Sequence, residues 1–408
     1  MSAHAVRPVA VLLSPVLPRP GGSGRALRAW DWLAELAATH EVHVWSAEPA
    51  DGLLPGWPDG ARLWHAAGDL RPVSAWLRRL GWLCPALCAV WPRAAVAWHG
   101  VAAQPPALAA MAAQIGQRPV ARLVVFRLYL DEVAGWVRGR LQVGQAELDM
   151  DDLDSAALAS AAGSLWRVGR RLQAVLCTQE ARQFRGLERR VPGGYDRVWL
   201  AAPEDLAAGA ARAAVRPNRL RQPAPVQADA GKTGTALLFV GSLDHPPNEE
   251  AALFLAEQLA PVLGGRLHGP WSLTVAGRRP SARLRARLAR CARVQLVADA
   301  ADLSALYASA SIAVLPLFAG GGTKFKTLEA LAHGLAVVAT GEAVRGLDLH
   351  DGVHFLRAET LEQFVHAVAR LHDAPDLRRR LAAAAREWSQ RHMAGARPAH
   401  GATLVEGT

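Results

Sequence analysis

SIAVLPLFAGGGTKFKTLEALAHGLAVVAT, Ser311 to Thr340, runs from an apolar strand through three glycines, a threonine and two lysines into a short helix, then into a second apolar strand. Two such strands joined by a helix form a parallel pair, because a parallel connection needs a crossover of this length. The pattern repeats outward from here. Upstream stand the strand segments ALLFVGS, WSLTVAG and VQLVA; downstream stands VHFLR, each separated by a helix-length stretch. The first half opens the same way: strand PVAVLLS, glycine loop PRPGGSGR, amphipathic helix Ala26 to Thr39, strand EVHVWSA. ARLWHA, VARLVVF, QAELDM and DRVWLA continue it.

Between the halves, RPNRLRQPAPVQADAGKTGT loses apolar periodicity and gains Pro, Gln, Asp and Gly, the mark of a linker. The expected organisation is therefore an α/β chain with two Rossmann-like, doubly wound domains facing across a cleft. The first covers 1–215, the linker 216–235 and the second 236–375. The remainder, 376–408, is read as a helix crossing back to the first domain, and a tail. At 408 residues the chain exceeds one comfortable core, which agrees with two domains.

Composition narrows the function classes. The balance of 46 Lys+Arg against 36 Asp+Glu gives +10, but the basic residues are scattered and no RNA-binding, zinc-finger or basic-zipper pattern appears. Anionic phosphates or an anionic membrane face suit that charge better than nucleic acid. The tryptophans at 76, 82, 91 and 98, interleaved with Arg78, Arg79 and Arg93, offer one interfacial surface, with burial in a core as the plainer alternative. Cysteines at 84, 88, 177 and 291 show neither disulfide nor zinc spacing, which fits a reducing cytoplasm. No segment reads as a signal peptide or membrane span.

In open α/β sheets ligands gather outside the carboxyl ends of the strands, so the glycine junction is the first place to look. Gly320, Gly321 and Gly322 let backbone N–H groups approach an anion, beside the positive end of the following helix. Thr323 can cap that helix, and Lys324 and Lys326 bring charge for a diphosphate. Glu329 lies beside the apolar stripe of Phe325, Leu328, Leu331 and Ala332, where a carboxylate needs a partner; an ion pair with Lys326 is the bland explanation.

This segment resembles the donor-site motif of GT-B glycosyltransferases, particularly family 4, written G-G-T-(R/K)-x-K-x-L-E-A-x-A-x-G. FVGSLDHPPNEEAALFL, WSLTVAGR, ADLSALYASASIAVLPL and VRGLDLHDGVHFL resemble further stretches of the same domain, and PGGSGRALRAWDWLAELAATHEVHVWS resembles the opening of its partner domain. FRLYL and ELDMDDLDS resemble a strand end near the cleft and an acidic motif in one bacterial subgroup. The likeness is strong over 236–372 and weak over 48–118.

The resemblance implies transfer of a sugar, with retention of configuration, from a nucleotide-sugar donor to a glycan or lipid-linked acceptor in polysaccharide or glycoconjugate biosynthesis. It implies no obligatory metal and no other cofactor, and a cytoplasmic protein with peripheral contact to the inner membrane face. Carried over, Glu329 would hold the donor ribose, Gly321, Gly322 and Thr323 would contact the diphosphate, and Lys324 or Lys326 would neutralise the leaving group. Gly21, Gly22 and Gly241 would bring backbone close to the donor. The chain also departs from the pattern. Where relatives carry the first of two glutamates, this chain has Gly321, and where many carry Arg and Lys after the first strand of the second domain, it has GSLDHPPN. Phosphate neutralisation would then fall on Lys324, Lys326 or Arg278, the last at the end of WSLTVAG.

The acidic motif LDMDDLDS contains Asp149-x-Asp151, which also invites the metal-binding reading of single-domain GT-A enzymes; two βα alternations argue against it. Asp151 and Asp152 are the candidate catalytic carboxylates at a strand end, helix capping being the alternative, strongest for Asp154. Arg127, ending VARLVVF, joins them, against the alternative of a surface salt bridge. Two rivals remain: a catalytically degenerate GT-B nucleotide-binding partner, and a GT-B nucleotide-sugar epimerase.

Overall fold

A computed structural model describes residues 7–21, 24–50, 52–65, 106–208, 212–218, 234–300, 302–320 and 324–395. They fall into two compact units. The first takes the chain to Ala156 and Thr178–Arg219; the second takes Ala157–Cys177 and Leu220–His400.

In the first unit, seven parallel strands stand in the order β3-β2-β1-β4-β5-β6-β7. They are β1 (Val9–Ser14), β2 (Glu41–Ser46), β3 (Ala61–His65), β4 (Val120–Phe126), β5 (Val143–Asp151), β6 (Arg197–Leu200) and β7 (Ala213–Val215). All six residues of β1 are buried, as a near-continuous apolar run predicts for a strand covered on both faces. The helix Gly24–Ala37 packs Trp30, Trp32, Leu33 and Leu36 onto Ala10, Leu12, Val42, Val44 and Val124. At the far end of β5 the pairing with β6 slips between Asp149 and Asp151, a bulge that turns the acidic motif out of strict alternation. β5 ends at Asp151, whose φ is +61°, so Asp152 already lies beyond the strand.

The second unit holds six parallel strands in the order β10-β9-β8-β11-β12-β13. They are β8 (Thr235–Val240), β9 (Trp271–Gly277), β10 (Val294–Ala298), β11 (Ile312–Leu315), β12 (Ala336–Ala339) and β13 (Leu356–Arg357). Successive strands run outward from β8 in one direction and from β11 in the other. The order therefore reverses between β8 and β11, the place where such sheets bind ligands. The core gathers Leu237, Phe239, Leu273, Val275, Ile312, Val314 and Val337. Phe254 meets Phe318 and Phe364 edge to face at 5.2 and 5.4 Å. The closing helices Leu361–Asp373 and Pro375–Gly395 lie in this unit, the second packing on the helix Phe325–Ala332 and on β12.

Of the expected linker, Arg216 to Asn218 are tied into the first unit, and Thr235 already belongs to β8. The positions 219–233, the tryptophans at 76, 82, 91 and 98, and the cysteines at 84 and 88 lie outside the described residues. Cys291 is a free thiol. Among the described residues no helix is long and apolar enough to cross a membrane.

Candidate functional site

The carboxyl ends of β8, β9, β11 and β12 carry the sequence candidates of the second unit. Gly241 follows β8, and its lack of a side chain has a packing cause: a Cβ there would stand 2.9 Å from Cγ of Asn248. Asn248 in turn donates from Nδ2 to the Ser242 carbonyl at 2.8 Å, closing the loop. Gly277 at the end of β9 is tighter still, since its Cβ would fall 1.8 Å from the Gly241 oxygen. Arg278, the next residue, is exposed. Its neighbour Arg279, at φ +53°, is ion-paired with Asp244 at 2.8 Å.

Beyond β11 the glycine loop leads to the helix Phe325–Ala332. Gly321, Gly322 and Thr323 lie outside the described residues, and the helix N-cap falls on Lys324 rather than Thr323, with no side-chain capping bond. Lys324 is buried and donates to Glu342 Oε1 at 2.8 Å. Lys326 is half-buried and, among the described residues, has no ion-pair or hydrogen-bond partner. Burial first, and then the neighbouring Lys324 charge, push its ammonium down to about 8, with Glu329 opposing. A desolvated cation without a partner is a place where an anion binds with gain.

Glu329 does not make the bland ion pair with Lys326. Its Oε2 accepts from the Tyr307 hydroxyl at 3.1 Å, and Tyr307 is stacked on His333 at 4.2 Å between ring centres. Burial pushes the Glu329 carboxyl up, with Tyr307 and Lys326 opposing. One oxygen is thus fixed, and the other has no hydrogen-bond partner among the described residues. Tyr307, Glu342 and Arg345 escaped the sequence reading. The available signal was position: Glu342 and Arg345 follow β12 immediately, where a strand end faces ligand.

In the first unit, Gly21 is exposed with open space at its Cα, and Gly22 lies outside the described residues. Arg127 follows β4 at φ +83° and is only 1% exposed, so it makes no surface salt bridge. Its guanidinium pairs with Asp154 and, at 3.4 Å, with Asp151, while Nε has no partner. Arg28, which the sequence did not flag, is equally deep. It grips Asp149 with two bonds of 2.7 and 2.8 Å, and reaches Asn218 at 2.9 Å. Trp32 and the Asp151 amide also donate to Asp149.

Those bonds occupy both Asp149 oxygens and hold its carboxyl below the usual range against the cost of burial. The first aspartate of the DxD pair is therefore a structural anchor. Asp151 Oδ1 accepts from Asn218 at 2.9 Å. Asp152 differs: it is half-buried, its Oδ1 has no partner, and burial together with Asp151 pushes its carboxyl up to about 7, with Arg127, Arg28 and Arg25 opposing. Among the described residues no group of three or more His, Cys, Asp or Glu side chains is set to hold a metal.

Comparisons with known proteins bear on the fold. Residues 234–374 match the family described as Glycosyl transferases group 1. The sucrose-phosphate synthase of Thermosynechococcus elongatus is similar at TM-score 0.64 and 16% identity, covering 94% of each chain. HepE of Anabaena, solved in complex with UDP, is similar at TM-score 0.59 and 14% identity over 95% of each chain. The α,α-trehalose 6-phosphate synthase of Burkholderia multivorans reaches TM-score 0.57 at 14% identity, covering 96% of this chain and 94% of that one. At these identities the likeness carries the GT-B fold. No curated protein matches the chain in sequence.

Proposed function

We propose that this chain, a GT-B glycosyltransferase whose residues 234–374 match the group 1 family, is a retaining, family-4-type enzyme using a nucleotide-sugar donor. The acceptor is a glycan or lipid-linked glycan in polysaccharide or glycoconjugate assembly, met in the cytoplasm with peripheral contact to an anionic membrane face. The observation that carries this reading is the half-buried Lys326, without a partner among the described residues, beside Lys324 and Glu329 at the strand-order reversal of the second unit.

The chemistry follows from what each group lacks. Departure of a nucleoside diphosphate builds negative charge on phosphate oxygens, and Lys326 is placed as a cation that gains a partner in that event. Glu329, oriented by Tyr307, accepts from the ribose hydroxyls. Arg278 and Arg345 are exposed cations at the ends of β9 and β12 that can follow the phosphates without a metal ion. Complexes of HepE with UDP-glucose and of an E. coli trehalose-6-phosphate protein with UDP-2-fluoro glucose support the donor class. Asp152 is assigned to the reacting sugar or the acceptor hydroxyl, with Arg127 and Asp151 anchoring its backbone turn.

The test is a thermal-shift comparison of UDP, GDP and ADP with their monophosphates, in EDTA and in magnesium. A ligand of the folded state raises apparent stability by mass action. The second phosphate is expected to add about 1.5 to 3 kcal/mol through each charge-assisted contact, in EDTA as in magnesium. Equal shifts for diphosphate and monophosphate, or a shift only with magnesium, would defeat the reading.

A further inference from the structure

Glu342 lies outside the motifs that drew attention to the glycine loop, yet its carboxylate stands against Gly320, where that loop begins. Thr340 fixes it from below: the hydroxyl donates to the Leu317 carbonyl at 2.6 Å and accepts from the Ala343 amide at 3.2 Å. Thr327 adds a bond from its hydroxyl to the Ala343 carbonyl at 2.5 Å. The turn after β12 is thus tied both to the segment leaving β11 and to the helix Phe325–Ala332.

The Glu342 carboxylate then stands against Gly320, its Oε1 lying 3.4 Å from where a Cβ on that glycine would be. Oε1 accepts from Lys324 Nζ at 2.8 Å and lies 3.4 Å from Arg345 Nη2, which also reaches the Gly320 carbonyl at 3.4 Å. Oε2 has no hydrogen-bond partner among the described residues, and the side chain is 24% exposed.

A carboxylate set among cations repels the phosphates those cations attract, so for a ligand made only of nucleotide it would be a liability. It becomes useful when the ligand carries hydroxyls next to its phosphates. We propose that Glu342 reads the donor sugar, Oε1 remaining with Lys324 while Oε2 accepts from a hydroxyl of the hexose attached to the diphosphate. This deepens the nucleotide-sugar reading and rests on it. The sugar so selected is a neutral polyol; a uronic acid would set a second carboxylate against Glu342 and be disfavoured.

Calorimetry on the full chain separates the possibilities, with UDP, UDP-glucose, GDP and GDP-mannose as probes. In Glu342→Gln and Glu342→Ala, affinity for the preferred nucleotide sugar is expected to fall tenfold or more. Affinity for the matching free diphosphate should stay within threefold or tighten. If both ligands lose the same factor, Glu342 only holds Lys324 in place and the proposal is overturned; it is overturned also if neither loses anything.

A series of deoxy-sugar analogues keeps the test independent of how the variants fold. One deoxy analogue should bind the wild-type chain at least tenfold more weakly than its parent sugar, and uniform binding across the series is incompatible with the proposal. A wild-type chain that binds none of the diphosphates defeats the nucleotide-sugar reading itself, an outcome distinct from the loss of sugar selectivity alone.

Discussion

Glu329 and Asp152 are both carboxyls driven up by burial, but their surroundings give them opposite work. Glu329 is aimed by a tyrosine and keeps one oxygen free, so Glu329→Ala should weaken nucleotide binding by about 2 to 4 kcal/mol, the scale of two hydrogen bonds to a charged acceptor. Calorimetry with the fold checked by circular dichroism decides it; unchanged affinity would leave Glu329 a partner of Tyr307 and nothing more. Asp152 has an oxygen without a partner, and Asp152→Asn is expected to lower kcat by about 10²-fold while nucleotide affinity hardly moves. Its titration gives a second readout. A carboxyl near 7 in the folded chain and near 3.8 in a free one binds its proton more tightly when folded. The stability it contributes is whole below the lower value and is lost as pH rises through the upper. Asparagine does not titrate, so the melting temperature of the variant should gain on the wild type between pH 4 and pH 8. A constant gap would mean that Asp152 is ionised throughout.

The ends of β8 and β9 are held together by the absence of side chains. With 1.8 Å between the Gly241 oxygen and a Cβ on Gly277, Gly277→Ala forces the strands apart, and neither strand end can move without disturbing the loop closed by Asn248. The expected cost is at the upper end of the 1 to 3 kcal/mol typical of overpacking, about 3 kcal/mol, read as a lowered urea midpoint at unchanged slope. A midpoint within error of wild type would show that the loop yields. Elements of this kind were legible because buried parallel strands are runs of Val, Leu, Ala and Ile, as in VAVLLS of β1 and TALLFV of β8. β7 was missed because three residues, Ala213–Val215, carry too little pattern to separate from their surroundings. The helix Phe325–Ala332 was legible from its apolar stripe, whereas the Lys324–Glu342 pair was not, since its partners are 18 residues apart and meet only when β11 and β12 are adjacent. Arg28 and Asp149, 121 residues apart, were hidden for the same reason: arginine on an amphipathic helix ordinarily points to solvent, and nothing local says that this one turns inward.

Each unit carries a hydrophobic core of its own, around Trp32 and Val44 in the first and around Phe239 and Phe254 in the second, so the chain has two places to open. The +10 charge acts on both, but the cations assigned to phosphate, Arg278, Lys324, Lys326 and Arg345, all lie in the second. Binding confined to one unit stabilises that unit's local openings directly, by about 2.7 kcal/mol at a ligand concentration of 100 times Kd. Hydrogen exchange in a saturating concentration of whichever of UDP, GDP and ADP gives the largest thermal shift should therefore slow most at the ends of β8, β11 and β12 and across the helix Phe325–Ala332. Amides of β4 and β5, where the Arg28–Asp149 network sits, should change far less, because their openings need not release the nucleotide. Equal protection in both units would mean that they open as one body or that the nucleotide contacts both. Protection confined to the first would reverse the assignment of the donor site. Repeating the exchange with Glu329→Ala separates these cases, since losing protection only in the second unit ties the effect to that carboxylate.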